Sequence, residues 1–244
     1  MAHDINSIDG PFRSLEAYDW GADAGFFKAI DAAVIAAHGD AILRGELEKR
    51  LSAILSGDAS RAAKEYACRK LSMIGTASSV PPLALLLPQK EHSHMARFAL
   101  ERIAGGEATD ALREAFSSLN GDLKLGMMAS LAARRDAASV PLFAALLAGD
   151  ERTAVAAADA LGMIRDSAAA EALAAVAASA GSKKARAITD ARLACAEAML
   201  AEGKRSEAMV IYRAIEAAAA GSPAEKPALL AAKRGIVACL DTTP

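Results

Sequence analysis

The stretch Glu91-His92-Ser93-His94 brings two imidazoles and a carboxylate within four residues, the ligand types a divalent metal would use. A His-x-His pair shares one face on a strand, where side chains alternate, but on a helix the two rings point about 200° apart. Ser93 is placed to act as the N-cap of a helix containing Met95 to Ile103, which leaves the histidines in a solvated turn and no metal site. Cys68, Cys195 and Cys239 are far apart and each lies in an apolar helical pattern. Without the paired spacing of a zinc site, they are expected to be free buried thiols.

Other chemistry is equally sparse. The chain contains no Gly-x-Gly-x-x-Gly or Walker loop, no Gly-x-Ser-x-Gly elbow and no His-Glu-x-x-His helix, so no catalytic residue and no cofactor is assigned. Basic residues cluster at Arg134-Arg135, Lys183-Lys184 with Arg186, Lys204-Arg205 and Lys233-Arg234. Aligned on one edge they could hold phosphates, which makes nucleic-acid binding a rival reading with a steep salt dependence. Against it, Asp136, Asp190, Glu207 and Glu225 lie near these clusters, aromatic residues for stacking are absent there, and the formal net charge is -2.

The elements that would position any site follow from composition and periodicity. Hydrophobic residues make up 53% of the chain but aromatics only 4%, and 63 residues are alanine, so the apolar content is mostly one methyl deep. Alanine favours helix and lets helix axes approach closely, which predicts an all-α protein of closely stacked helices. Residues 1 to 21, with Gly10-Pro11 and Asp19-Trp20-Gly21, carry too few apolar residues at helical spacing for a helix and read as a lead-in or cap. Tyr18, Trp20, Phe26 and Phe27 gather there, either as a binding patch or as bulky rings covering the open end of an alanine-rich stack. Helices are expected over Ala24 to Ala37 and Ala41 to Leu55, separated by His38-Gly39-Asp40.

Beyond this point the chain repeats. Leu71, Leu100, Leu131 and Leu161 are separated by 29, 31 and 30 residues. Small or flexible residues precede each on the same face, and Ile74, Ile103 and Ile164 follow three residues later. The third unit has Arg134 at that place, which predicts that its first helix ends one turn early. A short polar turn and a second helix come next, introduced by Ser79-Val80-Pro81 and Ser139-Val140-Pro141 with the serines as N-caps and proline in the first turn. Leu83, Leu86 and Leu87 are expected to bury together, as are Leu142, Leu146 and Leu147. The charged turn Arg134-Arg135-Asp136 is the candidate interaction site, because charge replaces the apolar position of its siblings.

This pattern, clearest at Ala67, Leu71, Ile74, Val80, Pro81 and Leu83, resembles HEAT repeats, most closely the short bacterial HEAT-like repeats of the phycobilisome-lyase type, over about residues 60 to 180. The resemblance implies a right-handed α-solenoid, or α-α superhelix. It does not fix an activity, because scaffolds, regulatory subunits, chromophore lyases and a metal hydroxylase share the repeat. The hydroxylases carry repeated His-Glu pairs, and this chain has none. Ala196, Leu200, Gly203, Ala208, Tyr212 and Ile215 resemble a tetratricopeptide repeat, in which small residues let two helices cross, glycine makes the turn and tyrosine fills the groove.

A last helix over about Pro227 to Leu240 carries Leu229, Leu230, Ile236, Val237 and Leu240. It is expected to expose an apolar stripe, which would serve self-association or continuation of the solenoid. The organisation expected is a lead-in over 1–21, HEAT-like repeats over 22–180, and a tetratricopeptide-like hairpin with a terminal helix over 181–244. That amounts to about six hairpins plus a final unpaired helix. The function expected is a non-enzymatic scaffold or adaptor for a protein partner. A lyase-like chromophore or ligand site in the concave groove is the other alternative. The amino terminus lacks a basic region followed by an apolar one, and apolar runs fall short of the ~18 residues a membrane span needs, so a cytoplasmic protein without a membrane partner is expected.

Overall fold

The computed structural model describes residues 8–176 and 182–241. The start of the lead-in, the end of the expected repeat region with Gly181, and the tail after Asp241 lie outside these residues. Among the described residues all regular structure is helical: α1 (Asp9–Glu16), α2 (Phe27–Ala36), α3 (Ala41–Ser56), α4 (Arg61–Ile74), α5 (Val80–Ala84), α6 (Ser93–Leu100), α7 (Gly106–Ser118), α8 (Gly121–Ala133), α9 (Val140–Leu146), α10 (Glu151–Ile164), α11 (Ser167–Ala174), α12 (Lys183–Ala201), α13 (Arg205–Ala219) and α14 (Lys226–Leu240). Short 3-10 turns at Ala77–Ser79 and Ala137–Ser139 lead into α5 and α9. No helix among them is long and apolar enough to cross a membrane.

The chain forms two compact units, Met1–Ser130 and Leu131–Pro244. Within the first, α3 packs on α4 and α5, α4 on α6, and α5 on α6 and α7. Within the second, α10 packs on α9, α11 and α12, and α12, α13 and α14 pack on one another. Side-chain caps set many of the helix starts. Asp40 accepts from the Ile42 and Leu43 amides at 3.0 Å, Ser60 from Ala63 at 3.1 Å, Asp166 from Ala169 at 2.7 Å and Ser182 from Ala185 at 3.1 Å. Each cap satisfies amides that have no partner inside the helix.

The periodic positions form the core. Leu71, Leu100, Leu131 and Leu161 are fully buried, as are Ala63, Ala67, Ala96, Ala99, Ala154, Ala157 and Ala158, and Ile74, Ile103 and Ile164 are buried behind them. Leu83, Leu86 and Leu87 are buried as expected, and Val80 is buried with them. In the second copy Leu142 does not join the buried face and Leu146 is only half-buried. Leu142 is 38% exposed, while Phe143 and Leu147 are fully buried. Counted from the shared Val-Pro, Phe143 stands where Leu83 stands, so Pro82 and Leu142 occupy the same outward position.

Several local expectations are corrected. A helix, α1, forms inside the lead-in, because Ile8, Phe12 and Leu15 share one buried face and Pro11 falls in the first turn, where its missing N–H costs nothing. Arg50 holds this helix down, with its guanidinium 2.5 Å from Asp9 and 5.7 Å from the centre of the Phe12 ring. Ser79 and Ser139 do not cap their helices; their hydroxyls donate to Glu48 and Asp136. Ser93 lies inside the first turn of α6, and His92 occupies the N-cap position without a side-chain bond. α8 ends at Ala133, one residue before the sibling position and not a turn before it.

Of the aromatic group, Tyr18, Phe26 and Phe27 pack edge to face or tilted, and Phe27 stacks on Tyr66 of α4 at 4.1 Å. Trp20 stands outside this cluster, 67% exposed. The apolar stripe expected on the last helix is present, with Leu230, Val237 and Leu240 all exposed.

The contrast in burial within the second unit gives a direct test. Leu161→Ala should cost about 2–5 kcal/mol in urea denaturation, and Leu240→Ala less than about 1 kcal/mol. Equal costs would contradict this assignment of core and surface.

Candidate interaction surface

The sequence reading missed a buried carboxylate, Glu48 of α3, which is only 6% exposed. Its Oε1 accepts from the Thr76 amide at 2.7 Å, the Thr76 hydroxyl at 2.7 Å and the Ser79 hydroxyl at 2.6 Å. One turn earlier on α3, Arg44 Nε donates to the Ile74 carbonyl at 2.7 Å. A carboxyl group this buried needs hydrogen-bond partners, and here its donors come from the turn that feeds α5. Glu48 therefore fixes α5 against α3. In sequence it looks like one more surface acid of a charged helix; its partners, 28 and 31 residues away, give no local signal.

Over this node α3 and α5 form a groove of about 600 Å³, lined by Gly45, Ser52, Ala53, Pro81, Pro82 and the exposed Leu85. The Ser52 hydroxyl faces no hydrogen-bond partner. Glu48 is committed to its three donors and no histidine or cysteine lines the groove, which leaves the exposed Lys49 as the groove's other titratable group. Small side chains, two prolines and the exposed Leu85 supply apolar contact area, and Lys49, Ser56 and Ser78 add polar groups at the wall.

The candidate turn Arg134-Arg135-Asp136 has a backbone explanation. The Asp136 amide donates to the Leu131 carbonyl at 3.1 Å and the Arg135 amide to the Ala132 carbonyl at 2.9 Å, with Arg135 at φ +52°. This is the Schellman arrangement that closes a helix C-terminus, usually with glycine in the left-handed position. The same arrangement ends α12, where Gly203 takes that position at φ +81°. Asp136 also accepts from the Ser139 hydroxyl at 2.5 Å and so ties the turn to the start of α9.

The histidines of the Glu91–His94 stretch diverge. His92 faces Arg61, Lys64 and Cys68, and burial together with Lys64 holds its pKa below the ordinary histidine value. His94 faces a separate cleft with Lys90, Arg97 and Asn120. No group of three or more His, Cys, Asp or Glu side chains among the described residues could hold a metal. All three cysteines are free and buried. Burial, with a smaller contribution from Glu65, pushes Cys68 up to about 12; burial, with Asp166, pushes Cys195 up to about 11. Thiols so shifted are poor nucleophiles near neutral pH.

In the second unit Asp159 of α10 and Asp190 of α12 have raised pKa values. Burial is the main cause for both, with Asp190 adding to Asp159 and Glu225 adding to Asp190. Asp190 thus sits between two other acids, adding to the shift of one and shifted by the other. In sequence Asp190 and Glu225 read only as neighbours of basic clusters, because spacings of 31 and 35 residues hide the association. A scan of the chain against protein-family models gives no match, and a comparison with curated proteins gives none either.

Two measurements follow from these local geometries. Arg135→Gly should stabilise the protein by about 0.5–1 kcal/mol by relieving the left-handed backbone, whereas Arg135→Ala should give no such gain. Asp190, with its folded pKa raised, binds its proton more tightly folded than unfolded, so it adds stability as pH falls and subtracts it once ionised. Asp190→Asn should therefore raise the melting temperature at neutral pH, and the gain should shrink as pH approaches the unfolded carboxylate value of about 3.9. An identical gain at both pH values would contradict the repulsion.

Proposed function

We propose that the protein is a non-enzymatic scaffold, a right-handed α-solenoid of about six HEAT-like hairpins and a final helix, that holds a protein partner along the second helices of its hairpins. The observation that carries this reading is the α3–α5 groove. It presents apolar and small side chains in a cavity large enough for a turn of helix or a few extended residues, while its one buried carboxylate is consumed in holding the two helices together. A groove with a committed acid, no histidine and an exposed lysine at its wall suits contact better than catalysis. The turn Arg134-Arg135-Asp136 stands in this reading as an edge contact outside the groove.

Site-specific photocrosslinking in the native cell tests it. A benzophenone side chain at Leu85 should trap a partner of defined mass, and the trap should be lost when Ala53→Arg fills the groove without changing the circular dichroism spectrum. A benzophenone at Met73, exposed on α4, should trap nothing of that mass. A partner trapped equally from both positions, or unaffected by Ala53→Arg, would overturn the reading.

A further inference from the structure

The outer face of α14 is a second surface, independent of the α3–α5 groove. α14 buries Ala228, Ala232, Gly235 and Cys239 and packs on α12 and α13. Lys233 lies on the opposite side. Its helical neighbours at three and four residues on either side are Leu229, Leu230, Ile236 and Val237. Leu229 and Ile236 are half-buried, Leu230 is 48% exposed and Val237 is 66% exposed. A single ammonium group thus stands at the centre of four aliphatic side chains, in a shallow depression of about 440 Å³ that Arg234 and, at its far end, Asp241 also line, two cations to one carboxylate. Neither Lys233 nor Arg234 makes an ion pair among the described residues.

We infer that this face docks a partner α-helix carrying an apolar seam with an aspartate or glutamate at its centre, opposite Lys233. Two features select that occupant. Leu230, Lys233, Val237 and Leu240 are spaced three, four and three residues apart, the seam spacing that another helix meets knob into hole. Covering the patch with apolar side chains alone would strip water from Lys233 without replacing it, so the occupant must bring a carboxylate to that point.

The same charge disfavours the other occupants. Lys233 is the middle residue of α14, so an antiparallel two-fold pairing of α14 helices sets one Lys233 against the other. A helix that lies on an anionic membrane carries its cations on the polar face, whereas here the cation occupies the centre of the apolar one.

The test uses the full chain and a display library of amphipathic helices about 20 residues long, with a constant leucine seam and one randomised central seam position. Selection on the wild-type protein should enrich aspartate and glutamate at that position by about tenfold over neutral residues. On Lys233→Glu the preference should switch to lysine and arginine, and on Val237→Ser the retained helices should bind more weakly. Lys233 and Val237 are exposed, so these variants keep the fold. The same central preference on wild type and Lys233→Glu, or no retention above a scrambled-seam library, would overturn the inference. So would a dimer in light scattering that Val237→Ser dissociates, or binding to phosphatidylserine vesicles that Val237→Ser abolishes.

Discussion

Helices in this protein approach as closely as a methyl group or a hydrogen atom allows, and the rest of the architecture depends on that closeness. At Gly162 of α10 an added Cβ would lie 2.8 Å from both the Cα and the Cβ of Ala191 on α12, backbone that cannot swing aside. At Gly235 of α14 it would lie 2.3 Å from the Tyr212 ring of α13. Glycine in a helix interior costs roughly 1 kcal/mol relative to alanine, and the contact it permits must exceed that. A core built this way gains little per side chain, so it depends on many small contacts repeated at regular spacing.

Regular spacing is also what made the fold readable. The leucines at 71, 100, 131 and 161 announced buried positions because period and helix pitch agree, and every one of them is buried. Reading failed where a side chain acts on something distant or on the backbone. Ser79 looked like a cap because it precedes a proline-started helix, but Glu48, 31 residues earlier, takes its hydroxyl. Leu142 looked buried because it is a leucine after Val-Pro; Phe143 wins the position because the register is set by Val140. Arg135 looked like a charged recognition turn, although its backbone conformation would suit glycine. The lead-in helix was missed because three buried side chains around a proline are too few for periodicity to register.

The surfaces that offer function divide along the same line. The α3–α5 groove arises from packing geometry, with its buried carboxylate turned inward and used up. The α14 face is the reverse, an apolar surface whose charge is left over. Evenly spaced alanines specify neither of them. Each comes from a departure from the repeat: prolines and small residues in the first, a lysine among leucine, isoleucine and valine in the second.

The hydrogen bonds that join residues about thirty positions apart carry a consequence for how the first unit comes undone. Arg44 to Ile74, Glu48 to Thr76 and Ser79, Arg97 to the Gly126 carbonyl at 3.0 Å, and Ser130 to Glu101 at 2.7 Å each link one helical layer to the next. Such bonds strengthen the coupling between neighbouring helices rather than the stability of any one helix by itself. Opening one of these helices strands buried donors and acceptors on its neighbour, so opening one alone is costly. Layers of marginal stability are thereby made to melt as one cooperative block.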